Sequence, residues 1–411
     1  GKTGGQAIQP YQSLATLTTK NYSFNGNIAS GYIENNLENP DLRWETTDQF
    51  DMGLDMAFAN NRIKLTFDAY YKKTTDLLMI VENPPSSGFA TKIANIGAVE
   101  NKGFEVESSA VVLNGDLKWN LAGNIAFNRN KVLEMGVNDF QYGSYTTNGG
   151  GQPIIFKEGQ PLGAFIGFQK VKIFETWEEV QNSAQPGASV GDMMFMDHDN
   201  NKVLNNDDTV IIGDPNPDAI WGITNQFSYK SFDLSFLIDG QVGGDIYSIA
   251  DMELGSNYRQ WNSSTSSAIN SWVPAAGVPS ASWESQDGST FSTEGYNYGF
   301  GNSNAYTARP MYNVLASAER KRVSDEYIKD ASFIKLRNVS LGYNFNSKKI
   351  KSYGIQRMRF YLSATNLLII TKFDGYDPEV TAFTGNASRR GLDFGTYPLA
   401  RTVTLGIDVA F

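Results

Sequence analysis

The final segment, Arg401 to Phe411, alternates without exception. Val403, Leu405, Ile407, Val409 and Phe411 fall on one face of an extended chain, and Thr402, Thr404, Gly406, Asp408 and Ala410 on the other. Successive side chains of a strand point to opposite faces, so this segment has one apolar and one polar face and cannot be buried on both. A last strand of this kind, ending on an aromatic, suits a transmembrane β-barrel, with the apolar face toward lipid and the polar face toward a wet lumen. A chain built of such strands would be a pore or a transporter.

Composition narrows the classes. The chain has 411 residues, 41% hydrophobic and 13% aromatic, with a mean hydropathy of -0.35. No apolar run approaches the roughly 20 residues of a spanning helix, which excludes a helical membrane protein. A barrel is allowed, because alternation averages the two faces to a modest hydropathy. With no cysteine there is neither a disulfide framework nor thiol-based metal chemistry. The formal charge of -10 disfavours nucleic acid as a partner. A single histidine, His198, leaves no multi-histidine metal site and makes a Ser-His-Asp centre improbable.

Alternation recurs in pairs. Phe50, Met52, Leu54, Met56 and Phe58 precede the Ala59-Asn60-Asn61 turn, and Ile63, Leu65, Phe67, Ala69 and Tyr71 follow it. Asn114-Gly115-Asp116 is a strong hairpin signal between two further runs, and Lys230-Ser231 separates Trp221 to Tyr229 from Phe232 to Ile238. Val339 to Phe345 passes through a polar stretch, Asn346 to Tyr353, into Met358 to Ala364. The pattern predicts an all-β fold: a transmembrane antiparallel β-barrel portion of about ten strands. Long connections at Met79 to Val99, Met135 to Leu162, Glu175 to Ala219, Tyr247 to Ser332 and Thr371 to Pro398 alternate with the short turns. Barrels place tight turns on the periplasmic side and long loops outside. Trp44, Tyr71, Trp119, Trp221 and Tyr229 suit an interfacial girdle.

Four groups of residues invite a functional reading. Asp197 to Asp208 puts oxygen side chains at positions 1, 3, 5, 9 and 12 of a twelve-residue loop, the spacing that wraps a calcium ion. Asp197, Asp199, Asn201 and Asp208 would be ligands, with the Val203 carbonyl at position seven; Lys202 stands where a glycine is wanted, and position twelve is Asp rather than Glu. A hydrated acidic turn is the alternative. The Tyr247 to Ser332 connection holds Trp261, Trp272, Trp283, Tyr296 and Tyr298, candidates to stack on a ligand or to fold the loop on itself. Glu178 and Glu179 read as the solvated first turn of a short helix capped by Thr176 rather than as a glycosidase pair, since adjacent helical residues point apart. Lys335, Arg337, Arg357 and Arg359 on late strands, with Asp51, Asp55, Asp68, Glu105 and Glu107 on early ones, are expected to form ion pairs across the lumen wall or with a plug.

Several segments resemble the SusC/RagA family of TonB-linked outer-membrane transporters: Asn39-Pro-Asp-Leu-Arg-Trp-Glu45, Asp68 to Leu78, Asn95-Ile-Gly97 with Asn101 to Glu105, Ile211 to Pro217, Tyr327 to Asn338, Gly375 to Glu379, and Tyr397 to Thr402. They occur in the family's order along nearly the whole chain. The resemblance implies a barrel of about 22 strands around an N-terminal plug and coupling to TonB-ExbB-ExbD. It also implies a SusD-like surface lipoprotein closing as a lid over an oligosaccharide or peptide. Residues 1–411 would then be the C-terminal part of that barrel, with the plug and the N-terminal strands absent from this chain. The expected location is the outer membrane of a Gram-negative bacterium, loops extracellular, in contact with outer-membrane lipid. Transport without catalysis is expected, with calcium as a structural ion in the acidic loop. The rival reading is a secreted or surface-anchored calcium-dependent carbohydrate-binding or adhesive β-protein.

Overall fold

A computed structural model describes residues 2–3, 13–89, 91–136, 139–147, 149–256, 264–273, 282–284, 290–292, 302–310, 321–345, 354–379 and 389–411. Its main element is a ten-stranded sheet. Numbering only its members, the strands are β1 Lys2–Thr3, β2 Glu45–Phe58, β3 Ile63–Glu82, β4 Thr91–Asn114, β5 Leu117–Glu134, β6 Ala219–Tyr229, β7 Phe232–Val242, β8 Phe333–Phe345, β9 Arg357–Thr371 and β10 Thr402–Ala410. They lie side by side in chain order, and each neighbouring pair is antiparallel. Among the described residues β1 pairs only with β2 and β10 only with β9, so the sheet is open at both edges.

Register converts the alternation of each strand into two continuous faces. Leu405, Leu362, Leu341, Leu234, Phe227 and Trp119 are successive partners across β10 to β5. One residue along, Thr404, Ser363, Ser340, Ser235, Gln226 and Asn120 are likewise successive partners. A slip of one residue in any pair would carry apolar groups into the polar row, so the pattern itself fixes the register.

The short turns gather at one end of the sheet. Ala59, Asn60 and Asn61 take left-handed φ between β2 and β3, and Lys230 does so between β6 and β7. Asparagine tolerates that region better than most residues. The expected Asn346 to Tyr353 connection lies outside the described residues. At the other end the boundaries differ from expectation. Met79 to Val99 is largely strand, because β3 and β4 run to Glu82 and from Thr91. Alternation hides this: register shifts between Thr74, Leu77 and Leu78, with Asp76 at a φ of 58°, reset which residues face which side. β4 has 24 residues, about twice what a tilted crossing requires.

The principal apolar core lies outside the ten-stranded sheet. The described parts of the excursions 135–218, 243–332 and 372–401 fold on one another around Phe165, Phe174, Met193, Tyr247, Met252 and Leu392, all fully buried. Short strands knit them together. Ala164–Gly167 pairs with Ile154–Lys157 and Val210–Gly213. Asp245–Ser248 pairs antiparallel with Ile328–Asp330 and parallel with Leu392–Asp393. The described parts of the expected long loops thus form a packed body at one end of the sheet. No helix among the described residues is long and apolar enough to cross a membrane, which leaves strand crossings untouched.

Candidate functional site: a two-faced sheet and an acidic turn

The apolar face is exposed. Phe50, Leu54, Leu362, Leu405 and Phe411 present their side chains outward, Leu405 at 79% and Phe411 at 81%. Aromatic rings run along it, with Phe104 between Phe67 and Phe127 at centroid distances of 6.2 and 4.5 Å. Near the short turns Trp119 stacks on Phe227 at 5.4 Å while its Nε1 donates to Asn225. Trp221 and Tyr229 share one face of β6, about 27 Å apart along the strand at 3.4 Å per residue. That separation approaches the ~25 Å apolar band of membrane barrels with aromatics at both rims.

The polar face carries ion pairs between late strands. Arg359 on β9 donates through Nε to Asp233 on β7 at 3.1 Å and lies 3.7 Å from Asp408 on β10. Arg337 on β8 donates to Asp239 on β7 at 3.0 Å and to Glu379 at 2.6 Å. Lys335 is buried between Asp377 and Glu379, which anchors the segment after β9 to the wall. The early strands carry none of these pairs. Asp51, Asp55, Asp68, Glu105 and Glu107 have no ion-pair partner among the described residues, and Asp68 stands directly opposite Glu105. Lys335, Arg337, Arg357 and Arg359, on β8 and β9, are too distant in the sheet order to reach them.

Charge also ties the loop body together. Asp251 accepts from Arg309 and pairs with Lys329, both at 2.8 Å, while Glu326 pairs with Lys170 at 2.7 Å and Arg309 at 3.2 Å. The helix Trp177–Asn182 has Thr176 as its N-cap, accepting from the Glu179 N–H at 3.2 Å. Burial pushes the Glu179 carboxyl up, but the hydrogen bond from Lys172 and the N–H of Glu175 outweigh it and leave it below the ordinary glutamate range.

The acidic turn brings three of its expected ligands together. Carboxylate oxygens of Asp197, Asp199 and Asp208 lie within 4.8 Å of one another. Asp208 is buried, accepting from the N–H groups of His198 at 2.8 Å and Asn205 at 3.0 Å. The sharp bend is made without glycine: Asn200 and Lys202 take φ of 57° and 64°, and the Lys202 N–H donates to Asp197 at 2.9 Å. Slight burial raises Asp197, but N–H donors led by Lys202 hold it below the ordinary aspartate range. Its Oδ1 is enclosed without a hydrogen-bond partner. Asn201 lies in the same turn, its Oδ1 accepting from Val203 N–H at 2.7 Å and its Nδ2 donating to Asp199 at 2.7 Å. Val203 itself is exposed. Oxygen donors around an unpaired carboxylate oxygen fit a hard cation.

Of the expected loop aromatics, Trp272 is the one whose side chain lies among the described residues. Trp272 is 3% exposed, inside the loop-body core, where it packs the loop. Trp283 lies on the strand Ser282–Glu284, paired with Thr290–Ser292. Trp261, Tyr296 and Tyr298 lie outside the described residues.

Fold and faces together define an antiparallel sheet with the two faces of a barrel wall, and the chain is similar in sequence and fold to TonB-dependent receptors. Residues 5–164 match the family model "TonB dependent receptor-like, beta-barrel". The chain is 32% identical over its whole length to "TonB-dependent receptor P3" of Formosa agariphila, covering 38% of that protein. It is 29% identical over 91% of its length to "TonB-dependent receptor SusC" of Bacteroides thetaiotaomicron, covering 32% of it. Its fold matches a chain of the solved "Structure of the RagAB peptide transporter" with a TM-score of 0.73 at 22% identity, covering all of this chain and 40% of that one. The resemblance to SusC and RagA relatives seen in the sequence therefore holds, and the chain spans under half the length of the relatives it matches.

Proposed function

We propose that this chain forms part of a TonB-dependent outer-membrane importer. It would take up oligosaccharides or peptides beneath a SusD-like surface lipoprotein, energised by TonB-ExbB-ExbD. The observation that carries the reading is the in-register apolar face opposite a polar, ion-paired one. Such a sheet is stable where lipid meets one side and water the other. No step of this function is chemical; the sheet supplies wall, and the loop body supplies the mouth on which a lid rests. The two open edges require further strands, because backbone groups without partners in hydrocarbon each cost several kcal/mol. Additional polypeptide in the same barrel, 22-stranded by analogy with the family, would close them.

Uptake tests this reading. Cells lacking the gene should lose growth on one glycan or peptide nutrient and regain it on complementation; growth indifferent to the deletion on every such nutrient would count against import. Impermeant thiol reagent on intact cells should label Tyr376→Cys and spare Gly115→Cys if the loop body faces outward. Equal labelling would reject the orientation.

A second reading concerns the acidic turn, favoured by the enclosed, unpaired Asp197 Oδ1. We propose that Asp197, Asp199 and Asp208, with Asn201 and the Val203 carbonyl, hold a calcium ion that braces the loop body. Its test is argued at the residue scale below.

A further inference from the structure

Beside the acidic turn, the loop body contains a cavity of about 230 Å³. Its floor is apolar, made by Ile166, Phe168 and Val323, all buried. Its rim is polar and, among the described residues, carries no carboxylate: Gln152, Asn206, Thr209 and Arg322 line it beside a run of glycines. Tyr142 completes the lining with an aromatic ring.

Both walls are held in place. On one side the chain around Val323 lies directly on glycine backbone. A Cβ at Gly149 would meet the Lys321 carbonyl at 2.3 Å, and one at Gly167 would meet the Val323 carbonyl at 2.6 Å. The Phe168 N–H donates to Val323 O at 2.8 Å, and the Asp325 N–H donates to Phe168 O at 3.1 Å. Arg322 places its guanidinium 5.0 Å from the centre of the Phe168 ring, a stacking that orients the plane of the group. On the other side Asn206 opens and Thr209 C-caps the single turn Asn206–Asp208, which Asn205 caps at its start and which the buried Asp208 carboxylate ties back to His198 and Asn205.

We propose that this cavity is a subsite for one neutral sugar ring of an imported glycan. The inference rests on the import reading and narrows its substrate class. Sites for drug-sized ligands run to roughly 300–1,000 Å³, so this smaller cavity admits a single ring. A sugar ring offers an apolar C–H face, which the floor and Tyr142 match. Its edge offers hydroxyls that donate and accept at once, which amide, hydroxyl and guanidinium groups match. A peptide fits less well. Extended peptides are captured by adding to a free sheet edge, and the two edge strands here, Phe140–Tyr142 and Val210–Gly213, have only three and four residues.

The test uses the full-length protein in detergent and saturation-transfer NMR, with glucose, galactose, mannose and triglycine as separate probes at millimolar concentration. At least one hexose should show transfer, and triglycine should neither show it nor compete. Asn206→Ala should weaken that hexose roughly tenfold, the scale of one directed polar contact. Asn206→Trp, which fills the cavity from its exposed rim, should abolish the signal while the melting temperature stays unchanged. No transfer from any hexose, a signal indifferent to Asn206→Trp, or displacement by triglycine overturns the proposal. Failure here with nutrient uptake intact removes the subsite alone. Hexose binding without any gene-dependent uptake removes the import reading alone.

Discussion

A cation held between carboxylates is worth most where water is excluded, and Lys335 is such a case, its side chain 3% exposed between Asp377 and Glu379. Removing one partner of a buried ion pair leaves the other uncompensated, at about 3–5 kcal/mol. Lys335→Met is therefore expected to destabilise the folded protein by that order in thermal unfolding. Adding Asp377→Leu should recover part of the loss, and strictly additive effects would show that the groups do not interact. At the acidic turn, a cation bound only by the folded state stabilises it by about 2.7 kcal/mol at a hundredfold excess over its Kd. Millimolar calcium should raise the melting temperature of the wild type and leave Asp197→Asn with Asp199→Asn unmoved. A wild type indifferent to calcium would reduce the turn to its hydrogen bonds.

Single strands are where sequence and structure agree best. On β10, Leu405 belongs to the apolar row and Thr404 to the polar one. Leu405→Arg should impair assembly by ~2–4 kcal/mol if it lies near the bilayer midplane. Thr404→Arg, one residue away, should be tolerated, with heat-modifiable gel migration as the readout. The face of β10 was legible because a period of two survives from Thr402 to Ala410 without a bulge. Where a bulge intervenes, as near Asp76, alternation restarts on the other face and the strand reads as loop. The short loop-body strands were invisible for another reason: Ala164–Gly167 is buried at every position, so it has no alternation to detect. The acidic turn was legible from its oxygen spacing. The cavity beside it was not, since Tyr142, Gln152, Asn206 and Arg322 meet only through the tertiary fold.

For the molecule as a whole, pH is expected to act on the joints between loop body and sheet. Burial pushes the Glu379 carboxyl up, but hydrogen bonds from Arg337 and Lys335 outweigh it and leave it below the ordinary range; Glu179 is lowered in the same direction. A carboxyl lowered in the folded state stabilises it above the unfolded value of about 4.3 and loses that contribution as pH falls further. Asp245 and Asp325 run the other way, raised chiefly by burial, so their protonation partly offsets the loss. Limited proteolysis should find the segment after β9 protected at pH 7 and cleaved more readily near pH 4, with Glu379→Gln flattening the difference. A cleavage rate independent of pH in the wild type would rule out this joint.

The parallel pairing of Tyr247 and Ser248 with Leu392 and Asp393 carries a consequence for synthesis. Ser248 Oγ donates to the Asp393 carboxylate across a sequence separation of 145 residues. Contacts so distant in sequence must meet their loop-closure cost before they return any stability. A growing chain that has emitted Tyr247 and Met252 must keep them waiting, apolar and uncovered, until Leu392 emerges. The loop body therefore cannot set before Leu392 is present, and its closure reports that the segment carrying Leu392 has arrived.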